Sequence, residues 1–281
     1  MTSRPHAHDE LEDHDLGLSH DLPRIVERNR VGRRGLLGIL GGVGLVAVAG
    51  CAADDSASSA AGGTAGSTVD VAAGEIPEET AGPFPGDGSN GVNVLTESGI
   101  VRSDLTTSFG TASGVAEGVP VTVRLRVYDL AGTDVSAMAG AAVYLWHCDR
   151  DGEYSMYSES IAAENYLRGV QETAADGTVE FTTIFPAAYS GRWPHMHFEV
   201  YRTLADATSY TNKLRTSQLA LPEDVCTEVY ATAEGYEASV DTLQQTSLDS
   251  DMVFGDGSSL QMAAVAGSVE DGYTVTLNVP V

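Results

Sequence analysis

Two histidines, His195 and His197, lie one residue apart in "GRWPHMHFEVY". Arg192 stands just before them, and Tyr189 lies six residues ahead of His195 across a Ser190-Gly191 turn. Successive side chains of a strand point to opposite faces, so residues at i and i+2 share one. The two imidazoles therefore project together and can reach one metal ion. By itself the pattern fits a polar strand face equally well. A second cluster, "YLWHCDRDGEYSMYS", ends an apolar run in a turn and places Tyr154 and Tyr157 close behind it. A phenolate is a hard anionic donor, and with imidazole it favours a trivalent metal such as Fe(III); soft thiolates would favour zinc or copper(I). Two histidines with one carboxylate would suit Fe(II), but no Asp or Glu is placed inside the His195–His197 segment.

The elements that would carry these residues read as strands. "VPVTVRLRVYD" alternates Val121, Val123, Leu125 and Val127 with Thr122, Arg124 and Arg126, the period of a half-buried strand. Segments 141–148, 177–185, 195–202 and 272–279 continue the pattern, with turn signals at Asp151-Gly152 and Asp176-Gly177. One helix is expected after Pro222, over "EDVCTEVYATA". Many short strands with little helix imply an all-β sandwich of mostly antiparallel strands, with long loops.

The first 51 of the 281 residues read differently. Arg33 and Arg34 precede an uncharged run, 35–50, too short and Gly-rich for a membrane span. The pattern is that of a twin-arginine export signal, and Val48-Ala49-Gly50-Cys51 resembles a lipobox with Cys51 as the lipidated residue. A buried apolar helix is the plainer alternative. Residues 52–75 are rich in Ala, Gly and Ser and read as a flexible tether. The folded domain is then 76–281. Localisation outside the cell, held to the outer face of the cytoplasmic membrane by lipid or released, follows as the expectation.

Removing such a signal takes four of the seven histidines, leaving His147, His195 and His197. It also leaves two cysteines, Cys148 and Cys226, for which an oxidising exterior predicts one disulfide; two separate buried thiols are the alternative. The formal charge is −25, from 15 basic and 40 acidic residues, and Lys213 is the one lysine. Such a chain is excluded from binding nucleic acid or anionic lipid by charge.

The clusters together resemble the intradiol ring-cleavage dioxygenases, the group of protocatechuate 3,4-dioxygenase and catechol 1,2-dioxygenase. Trp146 and Tyr154 have the family's W-x7-Y spacing, and Tyr189 precedes an R-x-x-H-x-H made by Arg192, His195 and His197. The resemblance covers roughly Pro77 to Gln218. It implies one Fe(III) per chain held by Tyr154, Tyr189, His195 and His197, with Tyr157 as competitor to Tyr154 and disfavoured by the tryptophan spacing. Arg192 would face the substrate and Gln218 would support it, the latter match needing a one-residue insertion. "ETAGPF" resembles a pocket-lining segment, with Pro83 and Phe84 as wall residues. His147 would be a bystander. The implied reaction joins O2 to a catechol-type aromatic and opens the ring between its hydroxylated carbons to a cis,cis-muconate, with the two tyrosines and Arg192 as catalytic residues. About 60 residues beyond Gln218 have no counterpart in this pattern. A non-catalytic exported sandwich that binds a metal or ligand is the alternative, and the oligomeric state stays open.

Overall fold

The structure is a computed structural model that describes residues 74–130 and 135–281. The export signal, Cys51 and all of the tether up to residue 73 lie outside the described residues. Among those described, no helix is long and apolar enough to cross a membrane.

Among the described residues, nine strands form two sheets. One contains β1 (Pro120–Asp129), β2 (Ser136–Ala137), β5 (Thr178–Ile184), β8 (Ala264–Ser268) and β9 (Gly272–Pro280). β1 pairs antiparallel with β2 and β5 and parallel with β9, whose far side pairs with β8. The other sheet runs β4 (Arg168–Glu172), β3 (Ala142–Trp146), β6 (His195–Tyr201), β7 (Lys213–Ala220), all antiparallel. The expected all-β sandwich is therefore the observed fold.

The first sheet keeps the expected alternation. Val121, Val123, Leu125 and Val127 are buried, while Arg124 meets Glu180 across the exposed face at 2.6 Å. Facing them from the second sheet are Val143, Leu145, Met196, Phe198, Val200 and Leu219, which close one apolar core. The second sheet breaks the half-buried rule. Every residue of β3 and β6 is buried. Its outer face carries Ala142, Tyr144, Trp146 and Tyr201, packed against Val94, Leu95, Ile100 and Tyr154 from two long loops. Chemistry carried on that face is therefore shielded from water by loops.

The helix expected after Pro222 is α1 (Glu223–Thr232), with Pro222 at its cap; a second, α2 (Glu237–Leu243), follows. Tyr230 and Tyr236 fasten this pair to the end of β5, donating to the Pro186 and Phe185 carbonyls at 2.9 and 2.7 Å. Strands β4, β7 and β8 and helix α2 were not legible in the sequence. β4 contains Gly169, where a Cβ would stand 2.4 Å from Leu105 Cδ2, so packing required the glycine that obscures the strand.

Candidate metal and substrate site

His195 opens β6 and His197 follows on the same outer face. Their Nε2 atoms meet at 3.1 Å. Tyr189, on the loop entering β6, brings its Oη to 3.1 Å from His195 Nε2. Tyr154, on the loop leaving β3, brings its Oη to 3.2 Å from Tyr189 Oη. Four donor atoms, two phenol oxygens and two imidazole nitrogens, thus converge on one point. Tyr154, His195 and His197 are at most 3% exposed.

Each is held by its neighbours. His195 Nδ1 bonds the Trp193 carbonyl, which fixes the tautomer and leaves Nε2 as acceptor. His197 has no partner for Nδ1. Its ring is set by packing: Trp146, its Cα partner across β3 and β6, stacks on it at 4.9 Å and 8°. On another side Gly82 comes so close that a Cβ would lie 3.4 Å from His197 Cε1, and its φ of +72° also favours glycine. The Tyr154 loop is pinned by Arg168, which is fully buried. Its Nε and Nη2 donate to Ser155 Oγ and O at 3.1 and 3.0 Å, and Nη1 donates to the Pro85 carbonyl at 3.0 Å. That clamp holds Met156 in the left-handed region, at φ 73°.

Burial governs the protonation states. It lifts the Tyr154 phenol well above its ordinary value, with Tyr189 adding to the rise, and pushes the Tyr189 phenol up to about 12. Burial, then the Arg192 charge, lowers His195 to about 3; burial, then His195, lowers His197 well below the usual range. Both imidazoles are neutral lone-pair donors at neutral pH. Among the described residues no group of three or more His, Cys, Asp and Glu could hold a metal ion. A metal here must draw on the phenols, and two phenols with two neutral imidazoles fit a hard trivalent cation. Metal binding would supply the electrostatic energy that ionises the phenols and would release their protons.

Arg192 is 8% exposed and its fork is fully directed. Nη2 donates to Gln218 Oε1 at 2.6 Å, Nε donates to Asp251 Oδ2 at 2.9 Å, and Nη1 lies 3.3 Å from His195 Nε2. Gln218 sits opposite His197 on β7 and also donates to the Thr80 carbonyl at 2.9 Å, tying the 79–86 strip to the arginine. The expected support of Arg192 by Gln218 is present. Phe84 packs 5.1 Å from the rings of both Tyr154 and Tyr157. Pro83 is exposed, and its carbonyl accepts from Asn90; Phe84, not Pro83, touches the donor set. Tyr157 turns away: its Oη accepts from the Gly86 N–H at 2.8 Å and donates to Asn90 at 3.0 Å. His147 is buried on the other side, bonded to Thr183 Oγ1 and the Cys148 carbonyl.

The expected Cys148–Cys226 disulfide is not formed; both are buried free thiols. Cys148 lies under the site and directs its thiol at the Ala187 carbonyl, 3.7 Å away. Cys226 packs in the core between the sheets. The two side chains serve different apolar clusters, so being the two cysteines of the domain does not bring them together.

Asp251 was missed. It lies in "SLDSD", a stretch with no chemical signature, and reaches the site only through the fold. Phe254, 6.4 Å from the His195 ring, comes from the same segment.

A family model described as "Dioxygenase" matches residues 97–216. Chlorocatechol 1,2-dioxygenase of Rhodococcus opacus is 38% identical over 63 residues, 22% of this chain and 23% of that protein. Catechol 1,2-dioxygenase 1 of Acinetobacter lwoffii is 41% identical over 59 residues, 21% of this chain and 19% of that protein. The chain thus spans about a fifth to a quarter of the length of these curated relatives. The solved intradiol ring-cleavage dioxygenase from Tetranychus urticae shares the fold, with TM-score 0.52 and 24% identity over 66% of this chain and 87% of that one. Residues 97–216, which contain all four converging donors and Arg192, are the part that the dioxygenase family model matches, and the fold around them is shared with the solved intradiol enzyme.

Proposed function

We propose that this chain is an Fe(III) dioxygenase that cleaves a catechol between its two hydroxylated carbons with O2, giving a cis,cis-muconate-type product. One observation carries the reading: Tyr154 Oη, Tyr189 Oη, His195 Nε2 and His197 Nε2 meet in steps of 3.1–3.2 Å. Iron bound there would supply a Lewis acid that orients the catechol oxygens and makes the ring reactive toward O2.

The protein's own part is positioning, charge and dryness. Tyr154 and Tyr189 carry the oxygens of the donor set that can hold a proton given up by a catechol hydroxyl, because His195 Nδ1 is committed to the Trp193 carbonyl. Arg192 turns Nη1 toward the donor set, where it would stabilise negative charge developing on the ring. Trp146, Phe84 and Phe254 crowd the donors and keep the local dielectric low. The twin arginine, apolar run and Cys51 support an exported, lipid-anchored enzyme, with membrane contact through the anchor alone.

The test is iron per chain, visible tyrosinate absorption, and oxygen uptake with catechol, hydroxyquinol and 3,4-dihydroxybenzoate. The expected result is one iron, a red-brown colour and a ring-opened product. Iron without oxygen uptake on any of these would favour a metal-binding sandwich, and protein without iron would sink both readings.

A further inference from the structure

Beyond the matched segment, the chain sends Asp251 back into the site. Its side chain is fully shielded from solvent, and its two oxygens accept from five donors. Oδ2 takes Arg192 Nε at 2.9 Å and the Trp193 N–H at 2.7 Å. Oδ1 takes the Val253 and Phe254 N–H groups at 2.8 and 3.1 Å, and Arg192 Nη2 lies 3.4 Å away. A carboxylate so satisfied is a fixed, ionised group. It does two things to Arg192. It occupies one edge of the guanidinium, so that with Gln218 on Nη2 the free N–H edge is the one at Nη1, facing His195. It also places a full negative charge beside Arg192, the one cation among the described residues that contacts the donor set.

Among the described residues, Arg168, the other buried cation beside the Tyr154 loop, is locked onto carbonyl and hydroxyl acceptors. Glu79, hydrogen-bonded to Gln261 at 3.4 Å, is raised to about 7 by burial, then by the neighbouring Asp256, so it is partly protonated at neutral pH.

We propose that Asp251 is the positioning and specificity-determining residue of this site: it fixes Arg192 with Nη1 toward the substrate ring and balances its charge for any group beyond the reach of Nη1, so that the site takes catechols carrying no anionic substituent. The inference rests on the proposed ring cleavage. A substrate carboxylate finds no unpaired cation here among the described residues and meets Asp251 instead. Like charges a few ångströms apart in a protein environment repel by enough to set selectivity.

The experiment is an anaerobic titration of the iron-loaded protein, following the tyrosinate band, with catechol and with 3,4-dihydroxybenzoate. Wild type is expected to bind catechol on the order of tenfold more tightly. Asp251→Asn should hold the same iron and colour yet lose most of that preference, and Asp251→Glu should restore it. Equal preference in wild type and Asp251→Asn would overturn the assignment, as would a wild type that binds the carboxylate at least as tightly as catechol. Where Asp251→Asn does not fold, that wild-type ratio decides alone. A wild type without iron or colour would instead remove the proposed function, and this inference with it.

Discussion

At the scale of single residues, the site separates the proposed ligands from their neighbours by where each polar atom is directed. Tyr154 Oη meets Tyr189, whereas Tyr157 Oη is consumed by Gly86 and Asn90. Tyr157→Phe should therefore keep iron and colour, while Tyr154→Phe should shift or bleach the tyrosinate band; the reverse pattern would refute the ligand assignment. Arg192 touches His195 but adds no metal donor. Arg192→Leu should retain iron and lower kcat per iron by about a hundredfold, the cost of one preorganised electrostatic contact. A rate within about twofold of wild type would separate Arg192 from the chemistry. His147 gives a prediction independent of iron. Burial lowers it from 6.5 to about 4. The unfolded chain then binds more protons in that window, so the stability His147 allows is complete above about 6.5 and is lost as pH falls toward about 4. Between pH 7 and pH 5 the loss is about 2 kcal/mol. Glu199, raised to about 7 chiefly by burial, works in the opposite direction, because its stability is lost as pH rises. Subtraction isolates the histidine: the urea-measured stability gap between wild type and His147→Gln should narrow by about 2 kcal/mol from pH 7 to pH 5. An unchanged gap would mean His147 takes up protons in the fold as readily as in the unfolded chain.

At the scale of elements, the strands that alternate were legible and those with polar or glycine interiors were not. β1 and β9 keep the period of two because one face of their sheet stays open. β7 reads Thr216, Ser217, Gln218 through its centre, yet all three are buried; Thr216 and Gln218 share the outer face, where Gln218 serves the site, while Ser217 shares the inner face with Leu219. The histidine pair on β6 was readable because ligand spacing on a strand is local. The clamp on Arg192 was not, because Gln218 and Asp251 are distant in sequence and the structure brings them to one guanidinium. The disulfide expectation failed for the matching reason: cysteine count and compartment carry no information about which cluster a side chain joins. β4 supplies a test of how tightly the loop cover is fitted. Gly169 has an ordinary backbone, so alanine there would gain about 0.4–1 kcal/mol through the unfolded chain. Its Cβ, however, would stand 2.4 Å from Leu105 Cδ2 and 3.1 Å from Arg102 Cγ. Overpacking of that kind costs about 1–3 kcal/mol, so Gly169→Ala should be destabilising on balance, read as a lower urea midpoint at unchanged m. A raised midpoint would show that the cover over β4 yields.

At the scale of the whole domain, the family match ends at residue 216 but the fold does not. β9 lies parallel to β1 from Val121–Tyr273 to Tyr128–Pro280, and the Ile76 N–H donates to the Pro280 carbonyl at 2.8 Å. The start of the described domain is thus fastened to its last strand. β9 also fills the core with Tyr273, Val275, Leu277 and Val279, all at most 8% exposed. Burying side chains of this kind contributes about 1.5–3 kcal/mol each, or about 6–12 kcal/mol together. A domain is stable by only about 5–15 kcal/mol in total, so losing β9 removes most or all of the margin. The proposed metal donors suffer too, though none lies on β9. His195 and His197 sit on a strand whose inner face, Met196, Phe198 and Val200, packs in the same core as β9. A chain ending at Gln261, without β8 and β9, should therefore show no cooperative urea transition and bind no iron. Asp251→Asn, which removes a contact of the site but no core side chain, should keep a cooperative transition. If the chain ending at Gln261 unfolds cooperatively and still binds iron, the second sheet with its loop cover is a sufficient folding unit, and β9 only closes the first sheet's edge.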